Sequence, residues 1–228
     1  PDNSSFRSPS RLDIDASNNI YVADRGNVAI RKITSTSVST LAGGVTSAYA
    51  DGMGTVAAFN YPNGLTLGSD GNLRLADTGN HAIRQITPAA VVTTLAGGSV
   101  VPLLFTPISG TADGTGIAAQ FNGPFDLSYD ADGNLIVVDT ASHTIRKVTP
   151  AGAVTTIGGT PGVVGAAGGI GPAGLFSGPR GVATIGSDIY ISDTGNNRIL
   201  DFGPVAGIGD GMNASLVVGQ ADFDSAGA

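Results

Sequence analysis

The sequence predicts an all-β protein, a β-propeller of four-stranded antiparallel blades. Three observations predict it: a fourfold repeat of short β-rich runs, turn residues recurring between them, and a composition that disfavours helices. The repeat opens with Pro9-Ser-Arg-Leu-Asp-Ile-Asp15 and returns at Pro62-Asn-Gly-Leu-Thr-Leu-Gly68, Pro124-Phe-Asp-Leu-Ser-Tyr-Asp130 and Pro179-Arg-Gly-Val-Ala-Thr-Ile185. Each copy leads into a second apolar run that ends on Asp24, Asp77, Asp139 or Asp193, at Pro-to-Asp offsets of 15, 15, 15 and 14. An Ile stands six residues after each Asp (Ile30, Ile83, Ile145, Ile199) and marks a third run. The fourth run reads Val38-Ser-Thr-Leu-Ala-Gly43, Val92-Thr-Thr-Leu-Ala-Gly97, Val154-Thr-Thr-Ile-Gly158 and, in the last copy, Ser215-Leu-Val-Val-Gly219. Four strands every 53 to 62 residues is the period of a propeller blade with a long connection. A β-sandwich does not repeat one four-strand unit, and a β-solenoid has a shorter period.

The turns support the same reading. Ser17-Asn-Asn19, Asp70-Gly-Asn72 and Asp132-Gly-Asn134 lie between first and second runs, where residues tolerant of positive φ close a hairpin. Blades are expected over about residues 9–44, 62–98, 124–159 and 179–220 of a single propeller segment, 1–228. The connections repeat as well. Asp51-Gly-Met-Gly54, Asp113-Gly-Thr-Gly116 and Gly168-Gly-Ile-Gly171 are each followed by a Phe at +8 and a Pro at +11. One helical turn over Val56–Ala58 or Ile117–Gln120 would plug Phe59 or Phe121 between blades, with Phe176 and Phe6 in the same register. Residue 1 is Pro, and both ends fall inside connections. The expectation is therefore an arc of a larger, six-bladed ring, with a closed four-bladed ring as the alternative.

Composition narrows the function. The chain has 11 Lys+Arg against 18 Asp+Glu, a net charge of −7 and a pI near 4.5, so no nucleic-acid partner is expected. All 18 acidic residues are Asp, and Lys occurs only as Lys32 and Lys147, whereas helix surfaces draw on Glu and Lys. The 35 Gly and 12 Pro ask for many tight turns, while 41% hydrophobic content is too high for a disordered chain. The absence of Cys excludes disulfides, thiolate zinc sites and thiol catalysis. No apolar run reaches the length of a membrane-spanning helix, and no membrane insertion is expected.

The blocks Asp77-Thr-Gly-Asn-His-Ala-Ile-Arg84 and Asp193-Thr-Gly-Asn-Asn-Arg-Ile199 resemble the signature of NHL-repeat propellers, roughly Asp-x-Gly-Asn-His-Arg-Ile. The first and third repeats depart from it: Val28 stands at the His position, and Ala141-Ser142 replaces Gly-Asn. The connections and the segment Gly211–Gln220 look like those of bacterial surface or secreted members. The resemblance implies a propeller and, for most such proteins, a binding scaffold. A minority on related propellers are lyases or lactonases, and the fold alone does not choose between them.

Candidate chemistry is sparse. His81 and His143 share one repeat position, too few for a three-ligand catalytic zinc site, and are read as making turn or interblade hydrogen bonds. Asp24, Asp77, Asp139 and Asp193 form either a ring of carboxylates around a cation or, on the preferred reading, caps that accept backbone N–H groups at the turn. Asp130-Ala-Asp132-Gly-Asn134 has the look of a calcium loop, but a chain without Glu lacks the bidentate twelfth ligand, and a hairpin turn is expected. Arg31, Arg84 and Arg146 recur, with Leu200 in the fourth unit, and are expected to pair with Asp on adjacent strands. Asn3 and Asn213 match the N-glycosylation acceptor. Neither a nucleophile elbow nor a phosphate loop is present.

No catalytic, cofactor-binding or metal residue is assigned, and no cofactor is expected beyond a residual calcium or zinc alternative. The expected function is a non-enzymatic binding scaffold, extracellular, cell-surface or periplasmic, that presents rigid loops to a protein partner or to another copy of itself. Two alternatives stay open: a lyase- or lactonase-like enzyme with a metal in the central channel, and a structural component of a surface layer or filament.

Overall fold

A computed structural model of the chain describes residues 5–100, 107–167, 174–186, 188–204 and 216–218. Asn3, Asn213 and the Gly168–Gly171 connection lie outside them. The chain forms four antiparallel sheets, one per repeat. Blade 1 holds β1 (Pro9–Ile14), β2 (Ile20–Asp24), β3 (Ala29–Ile33) and β4 (Val38–Gly43). Blade 2 holds β6 (Pro62–Leu67), β7 (Leu73–Asp77), β8 (Ala82–Ile86) and β9 (Val91–Gly97), with β5 (Gly52–Met53) added outside β9. Blade 3 repeats that plan with β10 (Gly114–Thr115) outside β14 (Ala153–Gly158), then β13 (Thr144–Val148), β12 (Leu135–Asp139) and β11 (Pro124–Tyr129). Blade 4 runs β15 (Pro179–Ile185), β16 (Asp188–Asp193), β17 (Arg198–Pro204) and β18 (Leu216–Val218).

Local chemistry sets these boundaries. In blades 1 to 3 a five-residue loop joins the first two strands, closed by Asp15 N–H to Asn19 O, Gly68 N–H to Asn72 O and Asp130 N–H to Asn134 O. Asp130 is a turn former: its Oδ1 accepts the N–H of Asp132 and Asn134, and its Oδ2 accepts the Asn134 amide. In blade 4 Ile185 pairs directly with Asp188, a tighter hairpin that accounts for the offset of 14. The repeated Pro opens the inner strand of each blade, where its missing N–H costs no ladder bond.

The core is a set of interblade layers. Phe59, Phe121 and Phe176 are fully buried, each between the blade it leaves and the blade it enters. Phe59 belongs to one buried cluster with Tyr21, Ala23 and Ile30 of blade 1 and Leu65 and Leu75 of blade 2. Burying one such ring contributes roughly 1.5–3 kcal/mol. The helical turn before each Phe falls slightly earlier than the sequence suggests, at Gly54–Val56 and Gly116–Ala118. That shift frees the Asp-Gly-x-Gly stretch to pair as β5 and β10, an outer strand that the sequence did not announce.

Inner strands pack in succession, β1 on β6, β6 on β11 and β11 on β15. Among the described residues β15 and β1 do not pack as these neighbours do, and β1 carries exposed Leu12 (62%) and Ile14 (51%). Phe6, read as a fourth interblade plug, is 37% exposed.

Candidate functional site

The four repeated Asp residues are completely buried, and each is a structural hub. Oδ1 accepts a backbone N–H from the chain entering the same blade: Arg7 to Asp24 at 2.8 Å, Asn60 to Asp77 at 2.7 Å, Asn122 to Asp139 at 2.8 Å and Ser177 to Asp193 at 2.7 Å. The donor is thus the incoming connection, where the sequence reading placed it within the turn. Asn27, Asn80 and Asn196 supply a side-chain amide to the other oxygen.

Arginines complete the hubs. Arg84 reaches Asp77 at 2.7 Å, Asp51 at 2.7 Å and the carbonyls of Ala50 and Ala58. Arg146 repeats this with Asp113 at 2.7 Å, the carbonyls of Ala112 and Gln120, and Asp139 at 3.6 Å. Burial pushes the Asp77 and Asp139 carboxyls up to about 6 against the pull of these guanidiniums and the hydrogen bonds. In blade 4 Leu200 takes the expected arginine position, and Arg198, two residues earlier on the same strand face, binds Asp193 at 2.8 Å. The signature Asn-Arg-Ile in that repeat was the signal for it. Asp77, Asp139, Arg84 and Arg146 are fully buried among these internal partners; the Nε atoms of both arginines and Asp139 Oδ2 have no hydrogen-bond partner, and burial closes them to a ligand.

The histidines tie blades together. The backbone N–H of Gly123 donates to His81 Nδ1 at 3.1 Å, and that of Gly178 donates to His143 Nδ1 at 2.9 Å. Partial burial holds the His81 imidazole below its ordinary value, which keeps Nδ1 an acceptor. Thr78 and Thr140, the first residues after Asp77 and Asp139, donate to the carbonyls of Pro124 at 2.6 Å and Pro179 at 2.7 Å. A Thr and a His therefore clamp the Gly-Pro entrance of the following blade. Gly123 (φ +71°) and Gly178 (φ +55°) hold the left-handed conformation there without strain.

The junction between blades 1 and 2 breaks this plan at three places. Arg25 replaces the Thr, Val28 replaces the His, and Tyr61 replaces the Gly. Tyr61 keeps the left-handed backbone (φ +51°), as does Val28 (φ +48°), an uncommon state for bulky or β-branched side chains that costs about 1–3 kcal/mol per residue. The three side chains meet at one cavity of about 410 Å³, completed by Arg7, Ser47 and Asn60. Small-molecule sites span roughly 300–1,000 Å³. The Arg25 guanidinium lies 5.0 Å from the Tyr61 ring centroid, and Tyr61 is 55% exposed. Among the described residues neither the Arg7 nor the Arg25 guanidinium is paired with a carboxylate, although those of five other arginines are. Among the described residues no acidic side chain lines this cavity. Asp24 and Asp77 on the adjoining elements are buried, and their oxygens are engaged in the hubs.

A second cavity of about 410 Å³ opens on the opposite end of the blades, between blades 2 and 3. Its arginine, Arg74, is paired with Asp70 at 2.9 Å, so its charge is met internally. In the channel Arg11 reaches Asp126 at 3.5 Å, from blade 1 to blade 3. Gly64, the blade 2 residue in the same repeat position, leaves room for that span: an added Cβ would lie 2.7 Å from the Asp126 Cα. Among the described residues no three His, Cys, Asp or Glu side chains gather as a metal site would need.

Comparison with known proteins agrees with the architecture. Residues 59–86 match the NHL repeat. NHL repeat-containing protein 2 from Bos taurus is 32% identical over 152 residues, 63% of this chain and 21% of that protein. Among solved structures, an auxiliary nutrient binding protein from Bacteroides ovatus superposes with a TM-score of 0.61 at 11% identity, over 92% of this chain and 47% of that one. A gluconolactonase from Xanthomonas campestris gives a TM-score of 0.62 at 16% identity, over 92% of this chain and 63% of that one. The chain thus spans about a fifth of the curated relative and about half of the nutrient-binding neighbour. At these identities the structural likeness establishes the propeller fold.

Proposed function

We propose that this chain is a non-enzymatic binding module whose ligand sits between blades 1 and 2, on the face formed by the β2–β3 turns. One observation carries the reading: Arg25, Val28 and Tyr61 abandon the interblade clamp used at the next two junctions, and all three line the same open cavity. Strained backbone that persists beside a cavity is characteristic of ligand sites, because binding and not folding selects the residue. A rigid scaffold with its variable residues at loop ends suits recognition. The fold is shared with both binding proteins and enzymes, so it does not decide the matter. The reading places the module outside the cytoplasm, where a chain free of Cys and poor in Lys, with abundant Gly, Ser and Thr, is at home.

The test is a fragment screen followed by NMR on the isotopically labelled chain. Perturbations centred on Arg25, Val28 and Tyr61 are the expected result. Ligands that gather instead at Arg11 and Asp126 in the channel would favour the enzymatic alternative and overturn this one.

A further inference from the structure

We infer, resting on that reading, that the cavity between blades 1 and 2 recognises a single carboxylate carried on an aromatic or apolar group. Among the described residues two guanidiniums without carboxylate partners, Arg7 and Arg25, open onto a cavity with no acidic lining, in a chain of net charge −7. Every ion pair found elsewhere among the described residues is internal to the protein. The cavity therefore brings two guanidiniums to one opening, with no acidic side chain among the described lining residues to neutralise them. The guanidinium fork matches a carboxylate in two parallel hydrogen bonds. Arg25 is also held over the Tyr61 ring at 5.0 Å, which fixes its plane before a ligand arrives.

The remaining lining sets the rest of the ligand. The half-exposed Tyr61 ring and the Val28 side chain form the apolar part of the wall, and Ser47 and Asn60 the polar part. Asn60 is engaged with Ser47 at 2.8 Å and with the Gly79 carbonyl at 3.2 Å, so its amide is fixed in place. The protein's overall negative field disfavours polyanions, and a monoanion meets the least repulsion. The carboxylate could belong to a free small acid or to an acidic side chain of a polypeptide; the recognising chemistry is the same.

The experiment compares four probes on the intact chain: benzoate, its neutral isostere benzamide, inorganic phosphate, and the capped tripeptide N-acetyl-Gly-Glu-Gly-amide. Affinity is read from NMR shifts of residues 25, 28 and 61. Benzoate is expected to bind at least about tenfold more tightly than benzamide, and Arg25→Gln or Arg7→Gln to remove most of that preference. Arg180→Gln, which alters an exposed arginine over Phe125 outside the cavity, is expected to leave benzoate binding unchanged. Tighter binding of the tripeptide than of benzoate would identify a polypeptide source, and the reverse a small acid; both support the inference. Equal binding of benzoate and benzamide in the cavity, or a preference for phosphate, overturns the carboxylate assignment and leaves the binding site standing. Failure of all four probes and of the fragment screen to move residues 25, 28 and 61 overturns the site itself.

Discussion

The junction between blades 1 and 2 and the two junctions after it share one frame and differ in their clamp. All three bury a Phe from the connection, and all three anchor the incoming chain on a fully buried Asp. At the second and third junctions a Thr hydroxyl and a His nitrogen then fasten a Gly-Pro pair. At the first, Arg25 and Val28 make neither bond, and the Ser10 hydroxyl reaches the carbonyls of Pro62 and Asn63 at 3.3 and 3.0 Å instead. The difference teaches where selection for stability stops. What is common to the junctions holds the propeller together, and what is peculiar to the first opens a cavity.

The largest effect should come from the shared frame. Asp77→Ala removes the buried carboxylate of Arg84, leaving only the half-exposed Asp51, and strips the Asn60 N–H and the Asn80 amide of their acceptor; it is expected to cost about 3–5 kcal/mol at pH 7.5 in denaturant unfolding. A loss below about 1 kcal/mol would mean that the hubs are not the common support.

The frame also has a pH signature. Burial raises the native Asp139 carboxyl to about 6, above its ordinary 3.8, so between these values the folded chain holds more protons than the unfolded one. Its contribution to stability is therefore full below about pH 4 and is lost as pH rises to about 6, an effect on the order of 1–3 kcal/mol. Asp139→Asn should flatten that part of the stability–pH curve. An unchanged slope would place the titration elsewhere.

Next come the clamps. His81→Ala strips the Gly123 N–H of its acceptor and is expected to cost about 1–3 kcal/mol, against less than about 1 kcal/mol for Val28→Ala. Equal losses would erase the distinction between junctions. The smallest effect, and the most telling, is a gain: Tyr61→Gly should stabilise the chain by about 1 kcal/mol by relieving the left-handed backbone, while benzoate binding weakens.

The repeat pattern carried most of the fold. Pro, Asp and Ile at fixed offsets located the strands, and the Phe register located the plugs at Phe59, Phe121 and Phe176, because these positions answer to packing that recurs in each blade. The β5 and β10 edge strands were hidden in the Asp-Gly-x-Gly stretches, where two-residue pairings leave no periodicity to read. Arg198 escaped for a different reason: a strand tolerates an i to i+2 exchange on one face, so strict column alignment pointed to Leu200.

The site was legible in one residue of three. Val28 stood out at a His position, whereas Arg25 follows Asp24 as Thr78 follows Asp77, a polar residue in a turn that carries no signal of its own. Tyr61, just before a repeated Pro, revealed its strain only through its backbone angle and its neighbour Arg25.

The most direct measurement is the unfolding free energy of the triple variant Arg25→Thr, Val28→His, Tyr61→Gly, which rebuilds the first junction on the plan of the second and third. The expected result is a gain of about 1–3 kcal/mol over the parent chain, with benzoate binding abolished. A variant less stable than its parent would contradict the central claim, because Arg25, Val28 and Tyr61 would then be holding blades 1 and 2 together rather than forming a binding site.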